Sequence, residues 1–323
     1  MCDNMKNDTK TNILDILRAD GGYVSGEAIS ARLGITRSAV WKSIAALKKD
    51  GFAITAVTNK GYKLDGESAR LNEDSVNALL DTEFLGRPLY LFDTVSSTFD
   101  KIAEYPRTHG LTVAAKVQTN GRGRLGRDWK SDSGGVYFSF NLMPMIPPSE
   151  VTFITVICAL GTVKALSQYG DCRIKWPNDI VLNGKKICGI LTTMSICEGE
   201  TEYVCVGIGI NADKTDFEGL PNATSIKNET GRACDENKLL TDVLKSIEKE
   251  YMRGRDAVLD EYKKYCITLG STVAVHYADG RESFVGKCTG ITDDGALTVT
   301  DGTSTVTVSS GEVSVRGLYG YVD

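Results

Sequence analysis

Histidine is nearly missing from this sequence. Of 323 residues only His109 and His276 carry an imidazole, and they stand far apart, so a zinc site built on histidine is not expected. Missing too is any C-x-x-C pair. The nine cysteines are odd in number and scattered, which argues against a disulfide framework and for thiols in a reducing cytoplasm. No N-terminal stretch joins a basic head to an apolar run and a small-residue cleavage site, so no secretory leader is expected. The one long apolar run, VTFITVICALGTVKAL from Val151, is short for a bilayer and contains Lys164; a buried core helix is expected there, with no membrane partner. Positive charge is also not in excess. A net charge of -5 argues against indiscriminate nucleic-acid binding over the whole surface. What remains, 41% hydrophobic and 24% charged residues, suits an ordinary globular chain of two or three domains.

Charge is nevertheless unevenly spread. Residues 1–66 hold ten Lys and Arg against seven Asp and Glu. Ile13, Leu14 and Leu17 fall on one helical face that Gly21 and Gly22 stop. Ser25 can cap a second helix, with Ile29 and Leu33 four apart and Gly34 suited to a left-handed close. A third helix restarts at Thr36, with Val40, Ile44 and Leu47 as its inward stripe and Lys48 and Lys49 at its end. FAITAVTNKGYKL then reads as two short strands around an Asn59-Lys60-Gly61 turn, a wing. Arg37, Ser38, Lys42 and Lys60 are the candidate DNA contacts of this winged helix. Trp41 is expected to pack against the wing rather than to read bases. The blander alternative is a small three-helix protein-binding module with a solvated polar face. A connecting helix is expected over residues 72–80.

The stretch GRGRLGRDW poses the central question. Gly121, Gly123 and Gly126 spell the dinucleotide fingerprint, and residues 111–118 before them are strand-like. A dinucleotide turn must run straight into a helix, yet here a polar loop leads to another strand, so that reading fails on context. Glycine alternating with Arg122, Arg124 and Arg127 instead gives backbone that a ligand can approach and guanidinium forks that pair with phosphate or carboxylate. With no apolar anchor before Trp129 and like charges in repulsion, the loop is expected to stay mobile until an anion arrives. Downstream, Lys175-Trp176-Pro177-Asn178-Asp179 reads as a strand entering a rigid turn, Asn183-Gly184 as a hairpin, and Gly189 as a point of close approach. In VCVGIGIN, Gly207 and Gly209 share one face of a buried strand and could floor a flat pocket. Residues 235–267 read as helix, and the tail from Gly270 as short strands broken by Asp-Gly turns.

GRGRLGRDW, KWPND, GKKICGIL and VGIGIN, in that order after a winged helix and before a β-rich tail, resemble a biotin protein ligase of the bifunctional kind that also represses biotin genes. The resemblance implies an α+β chain: a winged helix over 1–66, a mixed α/β ligase domain of the biotin/lipoyl type over 67–269, and a small SH3-like β-barrel over 270–323. It implies activation of biotin by ATP to biotinyl-5'-AMP, with Mg2+ brought by the phosphates, and transfer to a lysine of a carboxylase's biotin carboxyl carrier domain. Operator DNA and a homodimer bound to biotinyl-5'-AMP are the further implied partners.

Residue by residue, the resemblance places Arg122, Gly123, Arg124 and Lys186 on the carboxylate and α-phosphate, where two anions meet and cations are required, so that Lys186, Arg122 and Arg124 are the catalytic candidates. Ser97, Thr98 and Gln118 are implied partners of the ureido ring, with Gly189, Gly207 and Gly209 lining the biotin pocket. Phe99 departs from the family's asparagine, which leaves an aromatic wall in place of a polar contact. Arg127, Trp129, Asn178 and Asn211 are the implied nucleotide neighbours, Trp129 beside the adenine. Asp179 is left between orienting or deprotonating the incoming lysine and holding Lys186. Ser97 and Thr98 could also simply cap the helix that follows. Two rival classes stand beside this one: a transcription factor that senses a metabolite without reacting, and a lipoyl-type ligase.

Overall fold

The computed structural model describes residues 2–66, 68–311 and 313–317, with side chains in the first helix from Thr9 onward. The chain divides into two compact units, Met1–Leu79 with Asp235–Asn237, and Leu80–Cys234 with Lys238–Asp323.

The first unit is built as its pattern dictates. Helix α1 (Cys2–Asp20) is followed by α2 (Gly26–Leu33) and α3 (Arg37–Lys49). The Ser25 side chain accepts from the Ala28 amide, Gly34 closes α2 at φ 64°, and Thr36 accepts from the Ala39 amide. Ile13, Leu14, Leu17, Ile29, Val40, Ile44 and Leu47 meet in one core with Phe52 and Ile54. Strands β1 (Ala53–Val57) and β2 (Gly61–Gly66) pair antiparallel as the wing. Gly61, at φ 106°, is obligatory: a Cβ there would lie 2.1 Å from the Val24 carbonyl oxygen. Val24 in turn bridges to Tyr62, tying the wing to the entry of α2. Helix α4 (Glu73–Leu79) follows, capped by Asn72. One expectation fails. Trp41 does not pack against the wing; it is 62% exposed, because one residue beyond Val40 is about 100° around the helix, outside the buried stripe.

The second unit centres on a seven-stranded mixed sheet in the order β3-β4-β5-β9-β8-β7-β6. Strand β3 (Leu89–Val95) runs parallel to β4 (Thr112–Gln118); short helix α5 (Thr98–Lys101) lies between them in sequence. The helix expected after Ser97 and Thr98 is thus brief, tightening to a 3-10 turn at Ile102–Glu104 before Pro106. Strand β5 (Gly135–Leu142) is buried throughout, and α6 (Val151–Leu166) is the apolar run, buried nearly all round as a core helix. Then come β6 (Cys172–Lys175), β7 (Asp179–Leu182), β8 (Lys185–Cys197) and β9 (Glu200–Asn211). The β7–β8 hairpin turns at Asn183 (φ 52°) and Gly184 (φ 76°), as the Asn-Gly pair predicts.

After α7 (Ile226–Thr230), the single helix expected over 235–267 is two, α8 (Glu236–Tyr251) and α9 (Arg255–Tyr265). Gly254, extended at ψ 145°, starts the second. Arg253 holds the corner by pairing with both Glu250 and Glu261. The tail forms β10 (Thr272–Tyr277), β11 (Phe284–Ile291), β12 (Leu297–Thr300), β13 (Thr305–Val308) and β14 (Val313–Gly317), one antiparallel sheet ordered β13-β12-β11-β10-β14. The last six residues of the expected C-terminal domain lie outside the described residues. All eight described cysteines are free thiols, and burial pushes those of Cys172 and Cys205 up to about 12.

Helices α6 and α8 are in close contact at Gly161, where a Cβ would stand 2.6 Å from the Ile247 Cα. Alanine is favoured over glycine in a helix by about 1 kcal/mol. Gly161→Ala is nonetheless expected to lower stability by about 1–3 kcal/mol, since the overlap is with backbone. Urea unfolding reads the sign, and a stabilised variant would contradict the close packing.

Candidate active site

The alternation of β8 and β9 decides where a site can form. Thr192 of β8 hydrogen-bonds Thr155 of α6 at 2.9 Å, so the even-numbered residues of β8 from Cys188 to Met194 face that helix, while the bulge at Ile187 turns Lys186 to the other side. Gly189 and Leu191 therefore face the other way, as do their cross-strand partners Gly209 and Gly207. Three glycines leave a bare patch of sheet on this side. The indole of Trp129 lies on it: a Cβ on Gly209 would meet Trp129 Nε1 at 2.4 Å, and one on Gly189 would meet its Cζ3 at 2.9 Å. Phe99 lies beside Gly207, with Cδ2 3.1 Å from the equivalent point. A cavity of about 450 Å³ opens above this floor, a size suited to a small-molecule ligand.

One end of the cavity is neutral and polar. Thr98 sends both its amide (2.7 Å) and its hydroxyl (3.0 Å) to Gln118 Oε1, and its hydroxyl also lies 2.9 Å from Ser139 Oγ. Gln118 Nε2 donates to Ser131 Oγ at 2.8 Å. Ser97 accepts from the Phe99 amide at 3.2 Å, so it caps α5 and lines the cavity at once. Thr98, Ser97 and Ser139 are all buried, and the network holds its hydroxyls and amide in place before any ligand arrives.

The other end is cationic. The Gly-Arg segment is a folded turn, not a strand-to-helix phosphate loop: Gly123 N donates to Arg127 O at 2.7 Å, and Trp129 N to Gly121 O at 2.8 Å. The repulsion expected among its arginines is relieved by partners that sequence order does not reveal. Arg122 Nη2 lies 2.8 Å from Asp100 Oδ1. Arg124 donates to Asn178 Oδ1 at 2.9 Å and to the Val313 carbonyl at 3.0 Å, and also to the Ser310 carbonyl. Burial, with Asp179 opposing and Arg127 assisting, lowers the Arg124 pKa. Asn178 is itself fixed by a 2.6 Å bond from Nδ2 to Ile190 O. Lys186 Nζ sits 2.5 Å from Asp179 Oδ1 and 5.1 Å from the centre of the Trp129 ring.

Nearly every candidate is thus brought together. Ser97, Thr98, Phe99, Gln118, Arg122, Gly123, Arg124, Arg127, Trp129, Asn178, Asp179, Lys186, Gly189, Gly207 and Gly209 all line the cavity. Asn211, 4% exposed, stands outside that lining, and its Nδ2 donates to the Thr224 carbonyl at 3.0 Å. Sequence reasoning missed several contributors. Ser139 carried a signal, a hydroxyl among the alternating apolar residues of β5. Lys175 stood in a quoted motif without a role. Val313–Arg316, from β14, carried none, since only folding brings that strand here. In the first unit Arg37, Ser38, Lys42 and Lys60 are all exposed, as a nucleic-acid face requires.

Comparison with known proteins agrees with this layout. Residues 9–63 match a helix-turn-helix domain, 91–211 the biotin/lipoate A/B protein ligase family, and 268–316 the biotin protein ligase C-terminal domain. The bifunctional ligase/repressor BirA of Bacillus subtilis is 34% identical over 91% of this chain and 94% of its own length. The protein of the same name from Escherichia coli is 29% identical over 97% and 99%. Among solved structures, the biotin protein ligase of Aquifex aeolicus in complex with biotin and ATP superposes with a TM-score of 0.62 at 29% identity, over 71% of this chain and 98% of that one.

Burial, together with Lys186, Arg316 and Arg127 and against the pull of Asp179, lowers the pKa of Lys175 to about 8 from an ordinary 10.5. Between those values the unfolded chain binds more protons than the folded one, so folding gains stability as pH rises through the window; below it, the buried ammonium is a cost. Relative to Lys175→Met, the wild type is expected to be less stable at neutral pH and to recover as pH passes from about 8 towards 10.5. Denaturant titrations of both proteins below, within and above that window measure it; parallel curves would refute the assignment.

Proposed function

The chain belongs to the family of bifunctional biotin ligase/repressors, and on that premise we propose how its own residues carry the reaction. It joins biotin to ATP as biotinyl-5'-AMP, passes the biotinyl group to a lysine of a carboxylase carrier domain, and represses biotin genes through its helix-turn-helix. The observation that carries the site assignment is the polarity of one cavity: a neutral hydrogen-bonding end at Thr98, Gln118 and Ser139, a glycine floor, and a cationic end at Arg122, Arg124 and Lys186. A ureido ring, with one acceptor and two donors, suits the first end. A carboxylate meeting an α-phosphate needs the last.

In the first step a biotin carboxylate oxygen forms a bond to the α-phosphorus, the bond from that phosphorus to the β-phosphate oxygen breaks, and pyrophosphate leaves. Lys186 and Arg122 offset the charge gathered there. Arg124, already bonded to Asn178 and to two carbonyls of the C-terminal tail, contributes its charge from a fixed position. In the second step the uncharged amine of the carrier lysine attacks the acyl carbon, the bond from that carbon to the phosphate oxygen breaks, AMP departs, and the proton the nitrogen sheds passes to solvent. Asp179 is assigned to holding Lys186, whose ammonium it already meets at 2.5 Å. Catalysis is positioning and charge neutralisation, with no side-chain nucleophile. Trp129 is the wall we assign to the adenine.

Mg2+ is proposed to enter with ATP, held chiefly by its phosphates; among the described residues no group of three or more His, Cys, Asp or Glu could hold a metal ion. A homodimer carrying the adenylate is proposed as the species that binds inverted half-sites, and 1–66, 67–269 and 270–323 as the DNA-binding, catalytic and C-terminal domains.

Lys186→Met is expected to slow biotin-dependent ATP–pyrophosphate exchange by about 100- to 1,000-fold, as removal of a group that meets transition-state charge does. Exchange with lipoate and not biotin would contradict the substrate assignment. Operator affinity is expected to rise when biotin and ATP are added together. A DNA titration giving the same affinity with and without them would rule out the coupling.

A further inference from the structure

The outward face of α3 carries more than the cations expected of it. Arg37, Ser38, Trp41, Lys42, Ala45, Lys48 and Lys49 are its exposed residues, and none of its four cations forms an ion pair among the described residues. Asp50, just past the helix, is taken by Lys10 at 2.7 Å. In the middle of this face stands the Trp41 indole, 62% exposed. Ala45 follows one turn on, so the two make a short apolar strip flanked by positive charge. A large aromatic side chain left in water gains nothing for the fold, because its apolar surface stays hydrated. Its position calls for a partner that is anionic at its edges and apolar between them.

Duplex DNA is such a partner. In the major groove each phosphate strand borders the base edges, and thymine is the base that presents a methyl group there. We propose that Trp41 is a specificity-determining residue of this chain, packing its indole against thymine methyl groups of the operator half-site while Arg37, Lys42 and Lys48 engage the flanking phosphates. The inference rests on the reading of the first unit as a DNA-binding domain and adds to it which side chain selects sequence. Lys60 at the wing tip, with its ammonium 5.9 Å from the Tyr23 ring centre, extends the cationic face beyond α3 without adding to that selection.

The test uses the full-length protein with biotin and ATP, and a duplex selected by the wild type from a random pool. Trp41→Ala is expected to weaken binding to that duplex by about 5- to 150-fold, the cost of losing one base-pair readout. Its affinity for an unrelated duplex and the slope of log affinity against log salt are expected to stay as in the wild type, whereas Lys42→Ala lowers that slope by about 1. Replacing the half-site thymines by deoxyuridine removes only the methyl groups; this is expected to weaken the wild type and leave Trp41→Ala unaffected. A far-ultraviolet circular dichroism spectrum and urea unfolding curve of Trp41→Ala that match the wild type, as expected, show that the first unit is folded, and unchanged biotin transfer shows the same of the second. Equal losses on selected and unrelated duplexes, or a wild type indifferent to deoxyuridine, overturn the proposal and leave DNA binding standing. A wild type that selects no sequence removes the DNA-binding reading and this inference together.

Discussion

The site depends on one contact: an indole laid flat on backbone. Gly189 and Gly209 face each other across β8 and β9, and the Trp129 ring occupies the space two side chains would otherwise fill. Through this contact the end of the Gly-Arg turn is held against the sheet, and the ammonium of Lys186 comes to lie 5.1 Å from the ring centre. Any side chain at either glycine would lift the tryptophan and with it the turn. The glycines therefore serve the geometry of the ligand site more than the stability of the strands, where glycine is a poor choice.

Charge is arranged around that contact with few spare carboxylates. Lys186 has Asp179 and Arg122 has Asp100, while Arg124 rests on neutral oxygen atoms from Asn178 and the tail. Lys175 is pressed towards neutrality by burial and by the cations around it. Lys175, Arg124 and Lys186 hold positive charge at reduced solvent exposure beside the exposed Arg122 and Arg127, so the region is prepared for an anion whose charge replaces hydration that the sheltered cations have already given up in folding. The neutral end, by contrast, has its hydrogen bonds completed internally through Thr98, Gln118 and Ser139, so it presents oriented dipoles instead of net charge.

The N-terminal unit obeys a different economy. Its core is a small set of mostly aliphatic residues whose spacing is visible in the chain, and its caps and turns are those the residue types prescribe. Trp41 shows where that legibility ends. Adjacent to a buried stripe in sequence, it lies a quarter-turn away in space, and an aromatic residue beside a core position need not belong to the core.

By itself the sequence determined the winged helix, the failure of the dinucleotide reading and the glycine floor, because each of these is written in residues close together or in a spacing that strand and helix periods convert directly into a face; the ligand chemistry at either end is what the family resemblance of its motifs implies. The long C-terminal helix was misread as one because Gly254 starts a new helix where the apolar repeat continues. What only the tertiary structure decided is which distant groups share the cavity: the C-terminal tail that supplies carbonyls to Arg124, the hydroxyl of Ser139 against Thr98, and the burial that depresses Lys175. Those outcomes depend on strand order and on the reach of long side chains across the sheet, and neither is encoded in any local stretch of residues.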